Sequence, residues 1–292
     1  MNIRRLGKLV LPYLIWMLLL VLVPLLMMMV LTFIDNGSHG LSLVNSQATF
    51  TNWRLLFSDL TIRIALRNSF IYAGITTFIC FFLGYPMAYI VATSNFSNKL
   101  IILVLTIIPM WANSLLRNYG IANLLSEESI IGDLLSNIGI SFSWGIKGVE
   151  FPLIGGLVWV PSIVIGLVLT YLPFMILPVY TVLEKMDRSL LEASEDLGAK
   201  KIKTFLRVTF PLSIKGVTTG LVMVFLPAFS GFAIHEILGR GNVIVVGTLI
   251  QNFFYKTSNY SLGSLLSIVV LLIIFGAMAI IFKVDKEGES LL

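Results

Sequence analysis

The groups in this chain that could do chemistry are few, and they sit at the edges of apolar runs. Glu236, with His235 beside it, closes one such run, and a polar-aromatic cluster of Trp111, Asn113, Ser114, Arg117, Asn118 and Tyr119 ends another. Aromatic faces and an isolated carboxylate next to a wet cavity are what a cation needs on its way through an apolar medium. The same residue types also make an interfacial belt or a hydrated helix end, so the pattern leaves both roles open. Tyr171, Tyr180, Tyr85 and Trp159 offer further ring faces that helix packing would use equally well. Arg117 would repel a cation unless it is paired, which gives it a structural reading. Covalent catalysis has nothing to work with here, because no nucleophile–base or metal constellation falls within the apolar runs. The single cysteine, Cys80, lies inside such a run, and His39 and His235 stand far apart, so a disulfide within the chain and a thiolate metal site are both ruled out.

The one long polar segment with internal order is DRSLLEASEDLGAKKIKTFLRVTFP, from Asp187 to Pro211. Ser189 and Glu192 have capping-box spacing, in which a hydroxyl and a carboxylate satisfy the first free N–H groups of a helix. Gly198 falls where that helix should end, since glycine takes the left-handed C′ conformation at least cost. Ile202, Phe205 and Leu206 then recur at helical spacing among Lys200, Lys201, Lys203 and Arg207, and Pro211 is expected to stop this second helix.

The elements that carry these residues are membrane spans. Of 292 residues, 57% are hydrophobic and 12% charged, with a mean hydropathy of +0.95, too apolar for a soluble domain of this length. Apolar stretches long enough to cross a bilayer, about 20 residues, predict six spans at roughly 9–33, 68–92, 100–116, 161–183, 216–237 and 262–282 in a single transmembrane domain covering 1–292. Arg4, Arg5 and Lys8 precede the first run, which is too long for a signal peptide and has no small-residue cleavage site, so it reads as a retained span. A short helix is expected near Trp53 to Phe57 in a polar loop from Ile34 to Leu66, and a polar, partly helical segment over 117–150. Gly84 and Pro86 predict a break or kink in the second span.

Alternating the six spans puts 13 of the 20 lysines and arginines on the side of the amino terminus and 7 on the other. The excess predicts that both termini and the 187–211 hairpin are cytoplasmic. Basic flanks of this kind also account for the net charge of +5 without a nucleic-acid partner. Gly216 and Gly220 form a G-x-x-x-G pattern that would permit close helix approach, although chance explains it equally well in a chain with 23 glycines. No G-x-x-x-x-G-K-[ST] phosphate loop occurs, so this chain would have to borrow an ATPase. A self-sufficient ion-driven transporter commonly needs intramembrane carboxylates, and the span interiors contain almost none.

The hairpin's spacing is specific: Glu192-Ala193-Ser194, three residues, Gly198, nine residues, then Val208-Thr209-Phe210-Pro211. It resembles the EAA signature of ABC importer permeases, with Ser for the second Ala, Val for Ile and Phe for Leu. LGYPMAYIVA (83–92), IIPMWANSLLRNYG (107–120) and YLPFMILPVY (171–180) extend the resemblance to the first permease subunit of spermidine/putrescine importers, over roughly residues 65 to 285. The resemblance implies an all-α integral membrane fold, a six-span helical bundle of the ABC type I importer permease (MetI-like) class with a cytoplasmic coupling hairpin. It implies a multi-pass protein of the bacterial cell membrane that works with a second permease subunit, two ATP-binding subunits and an extracytoplasmic substrate-binding protein. ATP would be used by the partner subunit, with no cofactor bound by this chain, and membrane lipid would surround it.

On that reading Leu191, Glu192, Ala193, Ser194, Gly198 and Ala199 couple to the ATPase, Glu192 and Gly198 fixing the bend while Leu191, Ala193 and Ala199 form a small contact surface. Glu236, Trp111, Asn113, Tyr119 and Tyr171 are the candidate path for a polyamine, Glu236 foremost because the resembling permeases carry an acid at this place. An importer for another solute, such as an oxyanion, ferric iron or thiamine, shares the hairpin and is the first alternative. An intramembrane enzyme would need reactive groups that the spans lack, and a scaffold would leave the hairpin's spacing unexplained.

Overall fold

The computed structural model describes residues 3–35, 47–94, 98–125, 129, 149–151, 157–159 and 161–289. In chain order the elements are α1 (Ile3–Leu31), β1 (Ile34–Asp35), β2 (Gln47–Ala48), α2 (Thr51–Ser58), α3 (Leu60–Thr93), α4 (Lys99–Trp111) and α5 (Ser114–Leu124). There follow β3 (Val149–Phe151), β4 (Leu157–Trp159), α6 (Pro161–Glu184), α7 (Arg188–Asp196), α8 (Lys201–Ser230), α9 (Ala233–Gly239), α10 (Val246–Gln251) and α11 (Tyr260–Glu289). The strands make two short antiparallel pairs, Ile34 opposite Ala48 and Val149 opposite Trp159. Among the described residues five helices are long and apolar enough to cross a membrane, or up to six if the bent pair α4–α5 is one span. Most of the polar segment expected over 117–150, most of the polar loop around 36–46, and Pro152 lie outside the described residues.

Several helices differ from their expected course, each for a local reason. The third span, expected as one helix over 100–116, is two helices meeting at 96°. Asn113 turns the chain there: its Oδ1 accepts from the Leu115 N–H at 2.9 Å and the Leu116 N–H at 3.4 Å, opening a new helix instead of continuing the old one. Pro211 does not stop a helix. Its missing N–H and its clash with the Arg207 carbonyl are absorbed by a π turn over Phe205–Thr209, and the helix runs on to Ser230. The fifth span, expected to end near 237, ends at Ser230, where Gly231 turns extended, and Glu236 belongs to the separate short helix α9. Gly84 and Pro86 do not interrupt α3, which begins at Leu60, inside the stretch expected as loop. The first turn of α7 is capped by Asp187, whose Oδ1 accepts from the Ser189 N–H at 3.0 Å, and not by a Ser189 capping box.

The described chain forms two compact units, Met1–Arg63 with Leu249–Ile273, and Ile64–Thr248 with Ile274–Leu292. In the first, Asn52 Nδ2 donates to the carbonyls of Thr32 at 3.2 Å and Ile34 at 3.0 Å, tying α2 to the end of α1, and Phe33 stacks on Trp53. In the second, α6 is the axis of packing, with Leu167, Met175, Ile176 and Val179 buried along it. Met175 is wedged between Gly84 of α3 and Gly220 of α8, whose side-chain-free faces receive it. One turn away, a Cβ on Gly216 would lie 2.8 Å from the Pro178 carbonyl oxygen, so α8 touches the α6 backbone itself. The 216–220 glycine pattern is thus a helix-packing device.

Two outcomes follow from these contacts. Gly216→Ala meets backbone that cannot rotate away and should destabilise the detergent-solubilised protein by about 1–3 kcal/mol. Gly74→Ala, which meets nothing within 4 Å, should be neutral or stabilising by up to about 1 kcal/mol, and thermal unfolding followed by fluorescence separates the two. At the α7 cap, the Ser189 N–H holds the Asp187 carboxyl below its usual 3.8. A depressed folded pKa means the cap is fully present above 3.8 and lost as pH falls below it. Hydrogen exchange of the α7 amides, corrected for intrinsic rates, should rise over that acidic range, and Asp187→Ala should raise it already at neutral pH.

Candidate functional site

The charged hairpin is built from α7, a glycine turn and the first turns of α8. Gly198 has φ +77°, a left-handed conformation that L side chains rarely adopt, with open space around it. Its N–H donates to the Glu195 carbonyl at 2.8 Å and the Ala199 N–H to the Ser194 carbonyl at 3.1 Å, closing the C-terminus of α7. The hydroxyls of Ser194 and Thr204 hydrogen-bond at 3.0 Å across the turn and lock α7 to α8. The bend is therefore held by Gly198 and by this hydroxyl pair, while the Glu192 side chain is exposed.

The hairpin's apolar surface is placed differently from expectation. Leu191 and Ala199 are half-buried and Ala193 is exposed, but the large apolar groups facing outward are Leu190, Leu197, Ile202 and Leu206, with Leu197 89% exposed. Leucines and an isoleucine displayed among Lys200, Lys201 and Lys203 form a surface suited to a protein groove. From the other side, Phe205 inserts its ring between Tyr85 and Tyr89 of α3, at centroid distances of 5.9 and 5.4 Å, and the Tyr85 hydroxyl hydrogen-bonds Ser213 at 2.8 Å. The hairpin is thus keyed into the helix bundle through aromatic contacts at the π turn.

A second site lies where two helices break. A cavity of about 350 Å³ opens between the α4–α5 bend, the middle of α6 and the α8–α9 break at Gly231-Phe232. Asn118 of α5, Thr170 of α6 and His235 of α9 line it and are 1%, 8% and 0% exposed. Asn118 Oδ1 and Thr170 Oγ1 are buried without a hydrogen-bond partner, and the fully buried His235 ring has the Gly231 backbone as a polar neighbour. Tyr171 lines the same cavity and donates its hydroxyl to the Pro227 carbonyl at 3.4 Å, near the end of α8. Arg117 closes one wall, its Nη1 donating to the Pro109 carbonyl at 2.8 Å.

Of the five residues expected along a substrate path, only Tyr171 lines this cavity. Trp111 is 82% exposed, Tyr119 is exposed, Asn113 is occupied as the cap of α5, and Glu236 is exposed one residue beyond the buried His235. Asn118, Thr170 and His235 were within reach of sequence reasoning, as polar residues set in apolar runs. The sequence did not show the helix breaks that bring them together.

These features are those of a known group of membrane proteins. Residues 3–285 match the family described as binding-protein-dependent transport system inner membrane component. The chain is 32% identical over 271 residues to the spermidine/putrescine transport system permease protein PotB of Haemophilus influenzae, covering 93% of this chain and 91% of that one. It is 33% identical over 268 residues to PotB of Escherichia coli, covering 91% and 92%. In fold it is similar to a chain of a bacterial ABC transporter involved in import of the acidic polysaccharide alginate, with TM-score 0.74, 16% identity and 95% of each chain covered. It is also similar to a chain of the MetNI methionine ABC transporter in inward-facing form, with TM-score 0.57, 14% identity and 78% and 96% covered. The chain belongs to the family of inner membrane components of binding-protein-dependent transport systems.

Proposed function

We propose that this chain is the first permease subunit of an ATP-driven polyamine importer, carrying spermidine or putrescine received from a binding protein. The observation that carries this reading is the 32–33% identity to spermidine/putrescine permeases over more than nine-tenths of the chain. No chemistry occurs in the subunit; its work is to open and close a path. A second permease subunit completes that path, and two ATP-binding subunits dock on the hairpin, with both termini on their side of the membrane. The exposed Leu190, Leu197 and Ile202 support this docking, since a cytoplasmic hairpin has little other use for apolar side chains ringed by lysines. Leu191, Glu192, Ala193, Ser194, Gly198 and Ala199 then act together as a stiff lever, closed at Gly198 and tied by the Ser194–Thr204 bond.

Glu236, exposed beside the cavity residue His235, stands where it would draw a cationic solute towards the helix breaks. Trp111, Asn113 and Tyr119 lie along the bent third span, and their part in the path is to shape its approach. One observation favours a different solute: Arg117 in the cavity wall would suit an anion. Uptake of labelled spermidine, putrescine and an anionic solute by cells expressing the complete importer decides between the two readings, and uptake of the anion alone would overturn the polyamine assignment.

Gly198→Val forces a β-branched residue into a left-handed conformation at a cost of about 1–3 kcal/mol. It should leave the protein in the membrane but abolish uptake and the stimulation of ATP hydrolysis by the loaded binding protein. Gly198→Asn, which tolerates that conformation, should retain much of both, and normal coupling in the valine variant would refute the lever. Glu236→Gln should reduce polyamine uptake several-fold at equal membrane abundance; unchanged uptake would remove Glu236 from the path.

A further inference from the structure

Arg117 leaves the charge of the cavity out of balance. The residues of α6 that line the cavity, Leu167, Thr170, Tyr171 and Phe174, bracket the middle of the Pro161–Glu184 helix, so the facing wall lies deep in the membrane. A charge at that depth is costly unless an opposite charge meets it. Among the described residues the Arg117 side chain makes one hydrogen bond and no ion pair: Nη1 donates to the Pro109 carbonyl at 2.8 Å, and that bond is exposed. A helix-terminal carbonyl offers only part of a unit charge, and Arg117 itself stands in the first turn of α5, whose end is positive. None of the described lining residues is a carboxylate, and the nearby Glu236 is exposed outside the cavity lining. The surface of the bend is unfinished as well. Trp111, Leu116 and Tyr119 are 82%, 73% and 57% exposed, and the polar Asn113 and Ser114 are exposed on the same helix pair. Apolar side chains alone would suit lipid, but exposed polar groups at this depth belong against protein or water. Aromatic side chains beside an arginine are the make-up of a subunit interface.

We infer that a carboxylate of the second permease subunit enters the mouth of this cavity and pairs with Arg117. The inference rests on the polyamine reading above: a cationic solute cannot supply the missing negative charge, and the described lining residues of this chain do not. A guanidinium has five N–H donors, so one stays with the Pro109 carbonyl while others meet the carboxylate. The pair also gives the path its acid. An ammonium group in transit competes with the guanidinium for the same oxygens, so the carboxylate is held by Arg117 between transits and by the solute during one.

Two variants of the complete importer test this. Arg117→Lys keeps the positive charge and introduces an amine, whereas Arg117→Gln keeps a donor for the Pro109 carbonyl and removes the charge. Dicyclohexylcarbodiimide, which reaches carboxylates within membranes, joins a carboxylate to an amine in contact with it. With Arg117→Lys it should give a cross-linked peptide, identified by mass spectrometry, that joins position 117 to an Asp or Glu of the second permease. In proteoliposomes with the binding protein, Arg117→Lys should take up labelled spermidine within about threefold of the unaltered importer and Arg117→Gln at least about tenfold more slowly, the scale of removing one partner of a buried charge pair. Both results are required. A link from position 117 to a carboxylate of this chain, to the binding protein or to nothing would overturn the pair. Uptake by Arg117→Gln equal to that of the unaltered importer would also overturn it, leaving Arg117 as a brace for the bend alone. The cross-link does not depend on the solute, so an unaltered importer that takes up an anion and no polyamine would overturn the polyamine reading while the link still decides the pair.

Discussion

The constraint on which this structure depends is that backbone polar groups in an apolar medium must be satisfied from within the protein. A straight helix does this alone, but this chain interrupts its helices, and each interruption recruits a side chain. Asn113 supplies an acceptor to the N–H groups that open α5, and Arg117 supplies a donor to the Pro109 carbonyl. Ser162 donates to the Leu238 carbonyl at 3.1 Å, and Asn68 to the Ile244 carbonyl at 2.9 Å. Ser69 accepts from the Val246 N–H at 2.9 Å, closing the start of α10. These polar residues look incidental in an apolar sequence; they are the fittings that allow the backbone to leave a helix.

Around those fittings the packing is close because glycine removes the side chain where two backbones approach. Gly84, Gly216 and Gly220 receive α6 between Met175 and Val179. That fixes α6 as a rigid axis, and a rigid axis is what allows Thr170 and Tyr171 to be presented to a cavity at a set height. The break after Ser230 is likewise pressed against Gly247, where any side chain would strike the Ser230 carbonyl.

A feature is legible in the sequence where several signals in one segment agree, and is not where one residue type has two local outcomes or where the partners are distant. The 187–211 hairpin could be read because its glycine, its spacing and its charges are all within one segment. Its cap was misassigned by two residues, since Asp187 and Ser189 both have the chemistry and only geometry chooses between them. The bend at Asn113 was missed because an amide after an apolar run reads as a span's wet end as readily as a cap. The helix through Pro211 was missed because proline is a stop signal unless the preceding turn widens to accommodate it. The cavity could not be assembled from the sequence: Asn118, Thr170 and His235 are 52 and 65 residues apart along the chain and line it together only in the fold.

The π turn at Phe205–Thr209 has a geometric consequence of its own. Widening one turn of α8 adds a residue to it, so side chains above and below follow two helical wheels offset in angle. Lys201 and Lys203 on one wheel therefore do not align with Lys215 and the glycine face of the other as a uniform helix would place them. The nine residues between Gly198 and Val208 span that offset, so their number sets an orientation as well as a distance. One residue more or fewer there would keep every motif residue but turn the lysine-bearing surface away from the direction in which the membrane-embedded glycines hold the rest.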